Sequence, residues 1–260
     1  MNPPHDKNVR RSSLNMAALL VAAALSACAH APAQKNQTAA NKASEVKTAN
    51  SSAAQTPIVI PRVEKADLEK AERGDANAQF YLGQVASMYG HHDFAKRWFE
   101  KAAAQNHADA QFALGTLYYR GIGVQQNRPL AYQWFQKAAA GNYAEAQAVL
   151  GEMYFKEKNY REARRWYGKA AAQNHTGAQI NLGTMYYTGI GAPRNYALAR
   201  QWFEKAAAKN DPGAQIKLAF LYWKGHGVPQ NTQTARSWLE KAAARGNADA
   251  VRFLDEIGRH

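Results

Sequence analysis

The sequence predicts an all-α protein: an α-solenoid of stacked antiparallel helix pairs behind a targeting segment and a tether. Tryptophan recurs at steps of 36, 32, 36 and 36 residues, at Trp98, Trp134, Trp166, Trp202 and Trp238. Leucine recurs with a similar irregular period, at Leu82, Leu114, Leu150, Leu182, Leu218 and Leu254. Two independent markers with one shared irregularity indicate a tandem repeat rather than a chance pattern.

Composition excludes several classes of protein. The 260 residues are 46% hydrophobic and include 6 Trp, 13 Tyr and 9 Phe, which excludes a wholly disordered chain. No stretch approaches the roughly 20 apolar residues of a membrane-spanning helix, so a polytopic membrane protein is excluded too. The single cysteine excludes a disulfide framework, a multi-cysteine zinc site and an iron–sulfur cluster.

Residues 1–27 have the pattern of a signal peptide. Lys7, Arg10 and Arg11 supply a positive start. They precede an uninterrupted apolar run of ten residues, Met16–Leu25. That run is too short to span a bilayer but has the length expected for the apolar part of a signal peptide. We therefore expect this segment to direct export and then to be removed.

The segment Leu25–Cys28, Leu-Ser-Ala-Cys, resembles the lipobox of bacterial lipoproteins. The resemblance implies that Cys28 is acylated through its sulfur and becomes the first residue of the mature chain. An ordinary signal peptide with a chance cysteine is the alternative. Removing residues 1–27 removes three basic residues and Asp6, so the mature net charge becomes 13 − 2 = +11. Ala29, not Asp, follows the cysteine, and in Gram-negative lipoproteins this favours the outer membrane.

Three further segments flank or precede the repeats. Residues 28–61 contain the candidate lipidated cysteine and a predicted disordered tether, rich in Ala, Gln, Asn, Thr, Ser and Pro. Residues 62–75 resemble a degenerate second helix and are predicted to form an N-terminal capping helix. Residues 248–260 repeat only the first helix of a unit, and Arg252 and Asp255 make one face polar. They are predicted to form a C-terminal capping helix.

Each repeat is predicted to contain two helices. In the second repeat, Ala110, Leu114 and Leu117 share one helical face. Asn127 is predicted to cap the second helix, with Pro129 in its first turn. That helix ends in Lys-Ala-Ala-Ala, which favours helix. We expect each repeated tryptophan to be buried against its own first helix and the next repeat. Five residues after each repeated lysine stand residues that tolerate a left-handed helix end: Asn106, Asn142, Asn174, Asn210 and Gly246.

The loop between the two helices explains the irregular period. Repeats two, four and five contain Gly-x-Gly at Gly121–Gly123, Gly189–Gly191 and Gly225–Gly227, whereas repeats one and three lack it and are four residues shorter. Glycine-rich loops also bind phosphate, but no strand precedes these and the motif recurs three times. An ordinary interhelical turn is therefore predicted.

The pattern Ala-x-Gln-x-x-Leu-Gly-x-x-Tyr-x-x-Gly-x-Gly, followed by Ala-x-x-Trp-x-x-Lys-Ala-Ala, resembles the Sel-1-like repeat, a relative of the tetratricopeptide repeat with a longer loop. The resemblance covers residues 76–247 as five units. The first unit has Ala86 where the others have tyrosine, and the first and third lie closer to plain tetratricopeptide units. The resemblance implies a right-handed α-solenoid with a concave, protein-binding face.

No catalytic, metal-binding or cofactor-binding residues are predicted. Ser44–Lys47 matches the Ser-x-x-Lys of serine β-lactamases, but it lies in the predicted tether, and the Ser-Asp-Asn and Lys-Thr-Gly elements do not occur. His91–Asp93 is a local cluster, and His107 and His175 occupy equivalent places two repeats apart. The ligand spacings of zinc sites are missing, so histidines in surface turns are favoured.

The positive charge does not indicate a nucleic-acid site. Basic residues such as Arg164 and Arg165 precede the tryptophans, but glutamates alternate with the repeated lysines nearby. This pattern is typical of a mixed solvated surface rather than of a phosphate track. Acidic proteins or anionic lipid head groups are the better-matched counterparts.

An aromatic residue directly follows the repeated tyrosine in four of the five repeats. These candidate partner-binding residues, which we call the aromatic ladder, are Tyr119, Phe155, Tyr187 and Trp223. Ser87 stands at this place in the first repeat. One interpretation is packing between adjacent repeats, and the other is a partner-binding surface, because exposed aromatics commonly anchor interfaces.

Together these features favour a membrane-anchored repeat scaffold that mediates protein–protein interactions in the bacterial cell envelope, without catalysis. The expected location is the outer membrane, with a lipid anchor on Cys28 and the repeats facing the periplasm. One alternative is a cell-wall or β-lactam-directed hydrolase, as described for some Sel-1-like proteins. Another is a surface-exposed lipoprotein that binds host proteins. No cofactor, nucleic acid or small-molecule substrate is expected, and the protein partner is not identified by the sequence.

Overall fold

The computed structural model describes residues 44–46, 58–60 and 63–259. Its helices fall into two compact parts, which are described separately: residues 63–150, the N-terminal part, and residues 151–259, the C-terminal part. The predicted signal peptide and the candidate lipidation site lie outside the described residues. Within the described ranges no helix combines the length and apolar character needed to cross a bilayer.

Two short strands lie inside the segment predicted as a disordered tether. β1 (Ser44–Val46) pairs antiparallel with β2 (Ile58–Ile60), with Ser44 opposite Ile60. Composition did not predict this pairing, although the Ile-Val-Ile of β2 consists of β-branched residues that favour strands. The Ser-x-x-Lys match begins in β1, and the rest of the tether lies outside the described residues.

Six helices begin in the N-terminal part. They are α1 (Lys65–Glu72), α2 (Ala76–Met88), α3 (His92–Ala104), α4 (Ala108–Arg120), α5 (Arg128–Ala140) and α6 (Ala144–Lys156). α1 lies inside the segment predicted as the N-terminal capping helix. α2 with α3, and α4 with α5, form the helix pairs of the first two repeats, and α6 begins the third.

Six further helices follow in the C-terminal part. They are α7 (Tyr160–Ala172), α8 (Thr176–Thr188), α9 (Tyr196–Ala207), α10 (Pro212–Lys224), α11 (Thr232–Ala243) and α12 (Ala248–Gly258). In both parts the two helices of a repeat pack more extensively against each other than against the next repeat. The predicted fold class, an all-α solenoid of stacked antiparallel helix pairs, is confirmed.

The two helices of a repeat meet at a glycine. The glycine after each of the first four repeated leucines lies against the aromatic ring that follows the tryptophan; the pairs are Gly83–Phe99, Gly115–Phe135, Gly151–Tyr167 and Gly183–Phe203. A Cβ atom at any of these glycines would lie 2.5 to 2.6 Å from a ring carbon. In the fifth repeat Ala219 and Leu239 take the two places, so an added methyl group faces a smaller side chain.

The expectation that every repeated tryptophan is buried is wrong for four of the five. Trp98 is 5% exposed, whereas the other four are half-buried. The residue after each tryptophan enters the core instead, at 3% exposure or less: Phe99, Phe135, Tyr167, Phe203 and Leu239. Successive helical residues point about 100° apart, so only one of two adjacent large side chains can face the first helix.

A buried glutamine joins repeats to the helix before them. Its Nε2 donates at 3.0 to 3.3 Å to the carbonyl of the penultimate residue of the preceding helix; the pairs are Gln79–Ala71, Gln111–Ala103, Gln147–Ala139 and Gln179–Ala171. The bond gives a buried amide a partner, as burial of a polar group requires. We call this contact the glutamine clamp.

The predicted helix ends and turns are confirmed. The five residues after the second helices have left-handed backbone: Asn106, Asn142, Asn174 and Asn210 at φ 60 to 64°, and Gly246 at 78°. Asn127 caps α5 by accepting from the amide of Leu130 at 3.0 Å, with Pro129 in the first turn. Gly121 ends α4 in the left-handed conformation, so Gly-x-Gly is an interhelical turn here.

Candidate functional site

The aromatic ladder lies in the last turns of four first helices. Tyr119, Phe155, Tyr187 and Trp223 occupy α4, α6, α8 and α10, and all four are half-buried. The structure therefore gives each ring a packed side and an accessible side. Both sequence interpretations have to be judged from what the packed side touches.

Tyr119, in the N-terminal part, packs across its own repeat. Its ring lies 6.4 Å from that of Phe135, centroid to centroid. The guanidinium of Arg128, at the start of α5, lies 6.0 Å from the Tyr119 ring centroid. The Tyr119 carbonyl accepts from Nε2 of Gln126 at 2.8 Å, within the loop. The residue thus closes the interhelical loop and remains loosely packed at its ring.

The three ladder residues of the C-terminal part have closer ring neighbours. These pairs have centroid distances of 5.1 to 5.3 Å: Phe155–Tyr160, Tyr187–Tyr196 and Trp223–Phe253. Such contacts favour the packing interpretation for this part of the ladder. Partner binding by the accessible sides of the rings stays a prediction.

Tyr187 and His226 form the most polar contact of the ladder. The Tyr187 hydroxyl lies 3.1 Å from Nδ1 of His226, whose ring stacks on Tyr196 at 4.6 Å and 9°. Burial raises the pKa of Tyr187 to about 12. Burial, followed by the charges of Lys224 and Arg194, lowers the pKa of His226. Both groups are therefore neutral at pH 7, and the pair serves as a hydrogen-bonded contact rather than as an activated nucleophile.

The sequence analysis missed a row of cation–π contacts on the second helices. The lysine of each Lys-Ala-Ala stands three residues after the tryptophan and places Nζ 4.1 to 4.3 Å from the centroid of an indole ring; the pairs are Trp98–Lys101, Trp134–Lys137, Trp166–Lys169, Trp202–Lys205 and Trp238–Lys241. The i, i+3 spacing signals the contact, because such residues are neighbours on a helix. The half-buried tryptophans thus carry an ordered positive surface.

Two of the candidate metal-ligating histidines, His107 and His175, cap helices. Nδ1 of His107 accepts from the amide of Ala110 at 3.3 Å, and Nδ1 of His175 accepts from that of Ala178 at 3.0 Å, so both cap first helices. His91 precedes α3 as its N-cap residue, without a side-chain capping bond. Among the residues that the structure describes, no three His, Cys, Asp or Glu side chains are grouped as metal ligands.

Lys217 is a buried cation that the sequence did not single out. It lies on α10 and is 4% exposed. Burial lowers the pKa of Lys217 to about 8, and Asp211 opposes that shift. The unfolded chain has the ordinary lysine pKa near 10.5, so between pH 8 and 10.5 it binds more protons than the folded chain. The contribution of Lys217 to stability must therefore rise with pH across this window.

We expect Lys217 to add roughly 2 kcal/mol to the free energy of unfolding between pH 8 and 10, so the wild type should gain about that much over Lys217→Met across this range. Urea unfolding at pH 7, 8, 9 and 10 measures the effect. Lys224→Met, an exposed lysine on the same helix, is the matched control and should retain the rise. Parallel curves for wild type and Lys217→Met would contradict the burial of a titrating ammonium.

Comparison with known proteins agrees with this repeating architecture. A Sel1 repeat protein from Oxalobacter formigenes is 33% identical, with a TM-score of 0.66 over 74% of this chain and 57% of its own. The protein c5321, a protective antigen present in uropathogenic Escherichia coli strains, is 30% identical, with a TM-score of 0.63 over 74% of this chain and 51% of its own. The chain thus spans about half the length of these two proteins.

A more distant structure shares the fold. PilF of Pseudomonas aeruginosa is 22% identical, with a TM-score of 0.51 over 69% of this chain and 81% of its own. No curated protein matches the chain. The Sel1 repeat profile matches five consecutive segments, residues 76–107, 108–143, 144–175, 176–211 and 212–247. Because these segments cover more than half of the chain, the protein belongs to the Sel1 repeat family.

Proposed function

We propose that this protein is a lipid-anchored scaffold that binds other proteins in the bacterial cell envelope and catalyses no reaction. One observation carries the proposal. The same buried contacts between helices recur in four of the five repeats, whereas the surface positions of the second helices differ from repeat to repeat. Stacked repeats that share one frame and vary in surface provide an extended binding surface.

Two surface positions illustrate this variation. Two residues after the tryptophan stand Glu100, Gln136, Gly168, Glu204 and Glu240. Two residues before it stand Lys96, Tyr132, Arg164, Arg200 and Arg236. Charge, size and hydrogen-bonding capacity thus change along the array, while the glutamine clamp and the glycine–aromatic contact recur in the first four repeats. Sel1 and tetratricopeptide repeats generally mediate protein–protein interactions, which supports the same function.

Proximity labelling in living cells tests the scaffold function directly. A biotin ligase fused to the C-terminus should label a reproducible set of envelope proteins. The control strain carries the same ligase on residues 1–61 alone, so that anchor and tether are present without the repeats. Identical labelled sets would contradict the proposal. Turnover of nitrocefin or of peptidoglycan fragments by the purified chain would favour the hydrolase alternative instead.

The ladder can be tested within that experiment. Tyr119→Ala should change the free energy of unfolding by no more than about 1 kcal/mol, because its 6.4 Å ring contact is loose. It should also weaken labelling of the partners if the ladder binds them. Tyr187→Ala is the packing control and should cost about 1–3 kcal/mol, since it loses Tyr196 and His226. Unchanged labelling by a normally folded Tyr119→Ala protein would remove Tyr119 from the binding surface.

The proposed anchor gives an all-or-none prediction. Cys28→Ser removes the sulfur that the acyl chains require, so the protein should leave the outer-membrane fraction and incorporate no labelled palmitate. Sucrose-gradient fractionation and palmitate labelling measure both effects. Ser26→Ala, which keeps a small residue in the Leu-Ser-Ala-Cys segment, should behave as wild type. Normal fractionation of the Cys28→Ser protein would refute lipid anchoring at this residue.

One comparison favours the surface-exposed alternative. We keep exposure on the cell surface as the alternative for this chain because the similar protein c5321 is described as a protective antigen. Protease treatment of intact cells separates the two faces of the membrane. Loss of the repeats without lysis would place them outside, and protection until the outer membrane is permeabilised would support the periplasmic location.

A further inference from the structure

A cleft in the C-terminal part combines positive charge with aromatic surface. Its volume is about 540 Å³, and its lining includes Arg161, Arg164, Arg165, Gly168, Tyr186 and Trp202. The arginines and the glycine belong to α7, the tyrosine to α8 and the tryptophan to α9. The cleft therefore lies between the second helix of the third repeat and both helices of the fourth.

Gly168 opens this cleft. A Cβ atom at Gly168 would meet no atom within 4 Å. The other repeats place Glu100, Gln136, Glu204 or Glu240 at the equivalent position. The third repeat therefore has free space where the other four repeats of the chain carry a carboxylate or amide side chain. Gly168 sits in the interior of a helix, where glycine costs about 0.5–1 kcal/mol relative to alanine, and none of its contacts requires glycine.

The glycine at position 168 also leaves the guanidinium of Arg164 without the carboxylate that other repeats provide. In the first repeat Lys96 pairs with Glu100 at 3.0 Å, and in the fourth Arg200 pairs with Glu204 at 3.4 Å. Arg164 occupies the equivalent basic position, but Gly168 stands four residues later and supplies no oxygen. Among the described residues Arg164 has no ion pair.

The charged side chains that line the cleft have a positive sum. Arg165 pairs with Glu162 at 3.1 Å, and both line the cleft. Three arginines and one glutamate give a net charge of 3 − 1 = +2. Tyr186 and Trp202, both half-buried, add aromatic surface beside these charges. The cleft therefore matches a ligand that joins a carboxylate to an apolar group.

We propose that this cleft binds an acidic segment of a partner protein, whose carboxylate takes the place that Glu100 and Glu204 fill within their own repeats. The carboxylate pairs with Arg164, and an apolar side chain next to it contacts Tyr186 and Trp202. The chain itself demonstrates the complementary chemistry, because it satisfies the equivalent cation with a carboxylate in two other repeats. This proposal rests on the proposed scaffold function and names the chemistry of the partner.

The decisive variant restores the missing side chain. In Gly168→Glu the protein's own carboxylate should pair with Arg164 and fill the cleft, as in the first and fourth repeats. The probe is a fluorescein-labelled peptide of alternating glutamate and leucine. The purified full-length protein is titrated into this peptide, and binding is measured by fluorescence anisotropy. We expect Gly168→Glu to weaken binding at least tenfold, and Arg164→Gln to weaken it similarly.

Gln136→Glu is the matched control, because it adds the same charge at the equivalent position of another repeat. It should bind the peptide as wild type does and keep the wild-type melting temperature. Gly168→Glu should melt at the wild-type temperature or above it, because it replaces a glycine in a helix interior. A second peptide with glutamine in place of glutamate should bind at least tenfold more weakly than the acidic one. Equal binding by Gly168→Glu and Gln136→Glu would overturn the proposal.

Two further probes separate the partner from other anions. Inorganic phosphate at millimolar concentration and vesicles of phosphatidylglycerol with phosphatidylethanolamine are tested against the same variants. Vesicle binding that depends on Gly168, without peptide binding, would overturn the proposal in favour of a lipid site. Millimolar phosphate that displaces the peptide completely, where the same concentration of chloride does not, would overturn it in favour of a simple anion site. The peptide titration judges the cleft and the proximity labelling judges the scaffold function, so either can fail alone.

Discussion

Replacing Phe135 with alanine is expected to lower the free energy of unfolding by about 3–5 kcal/mol, the usual cost of removing a buried aromatic ring. Phe135 is 2% exposed and packs on Gly115, where the two helices of the second repeat meet. The loss leaves a cavity at a glycine that has no side chain to fill it. Urea unfolding followed by circular dichroism at 222 nm measures the change.

Trp134→Ala, one residue away, provides the comparison. Trp134 is half-buried and contributes its contact with Lys137, 4.3 Å from the ring centroid, so its loss should cost only about 1–2 kcal/mol. The sequence predicts burial of Trp134, because tryptophan is the most regular marker of the repeat, and it does not single out Phe135. If Trp134→Ala proves the more damaging change, the assignment of Phe135 as the central packing residue is wrong.

Gly115→Ala should destabilise the protein by about 1–3 kcal/mol, although glycine to alanine in a helix normally stabilises. The added Cβ would lie 2.6 Å from two carbon atoms of the Phe135 ring. Phe135→Leu removes the ring, and the combination reproduces the Ala219 and Leu239 pair of the fifth repeat. We therefore expect the double variant to be more stable than the sum of the two single changes predicts.

Gly168→Ala is the matched control for this experiment. Gly168 is also in the interior of a helix, but a Cβ there would meet no atom within 4 Å. The substitution should stabilise by about 0.5–1 kcal/mol. A full double-mutant cycle on Gly115 and Phe135 would show a coupling energy near zero if the two residues acted independently, and that result would contradict the proposed packing.

Helix ends and repeat boundaries were predictable because they depend on local chemistry. Asn106 and its equivalents adopt the left-handed conformation that asparagine tolerates, whichever helix packs nearby. Asn127 caps α5 through an amide three residues away. The Gly-x-Gly turns likewise follow from glycine's backbone freedom at Gly121 and Gly123, with φ of 70 and 66°.

The packing partners were less predictable because they depend on contacts between helices. Trp134 and Phe135 are adjacent and both large, so helical periodicity alone does not decide which of them enters the core. The deciding signal lay in a second position: the residue after the repeated leucine is glycine when the residue after the tryptophan is aromatic. Ala219 with Leu239 breaks both halves of that rule together, which marks the contact.

In the candidate site, too, local features could be predicted from the sequence and contacts between helices could not. The sequence identified the four residues of the aromatic ladder but left open whether their rings pack or bind, and the structure places them in the last turns of first helices. Tyr187 required the structure, because its partners Tyr196 and His226 come from different loops and helices. The cleft required it too. Gly168 lacks a side chain, but the sequence alone does not show that the resulting space is lined by Trp202 of the next repeat.

The glutamine clamps have a consequence for how such a chain can change in length. Residues 107–111 read His-Ala-Asp-Ala-Gln and residues 143–147 read Tyr-Ala-Glu-Ala-Gln, so the two junctions are nearly interchangeable. Excising residues 108–143 would bring Gln147 to the chain position of Gln111, eight residues after Ala103, the same separation as in the present clamps. Gln147 could therefore form the glutamine clamp with Ala103 after the deletion. An array with nearly identical junctions can therefore gain or lose whole repeats by recombination. Loss of half a repeat would instead leave a glutamine without the carbonyl that it binds.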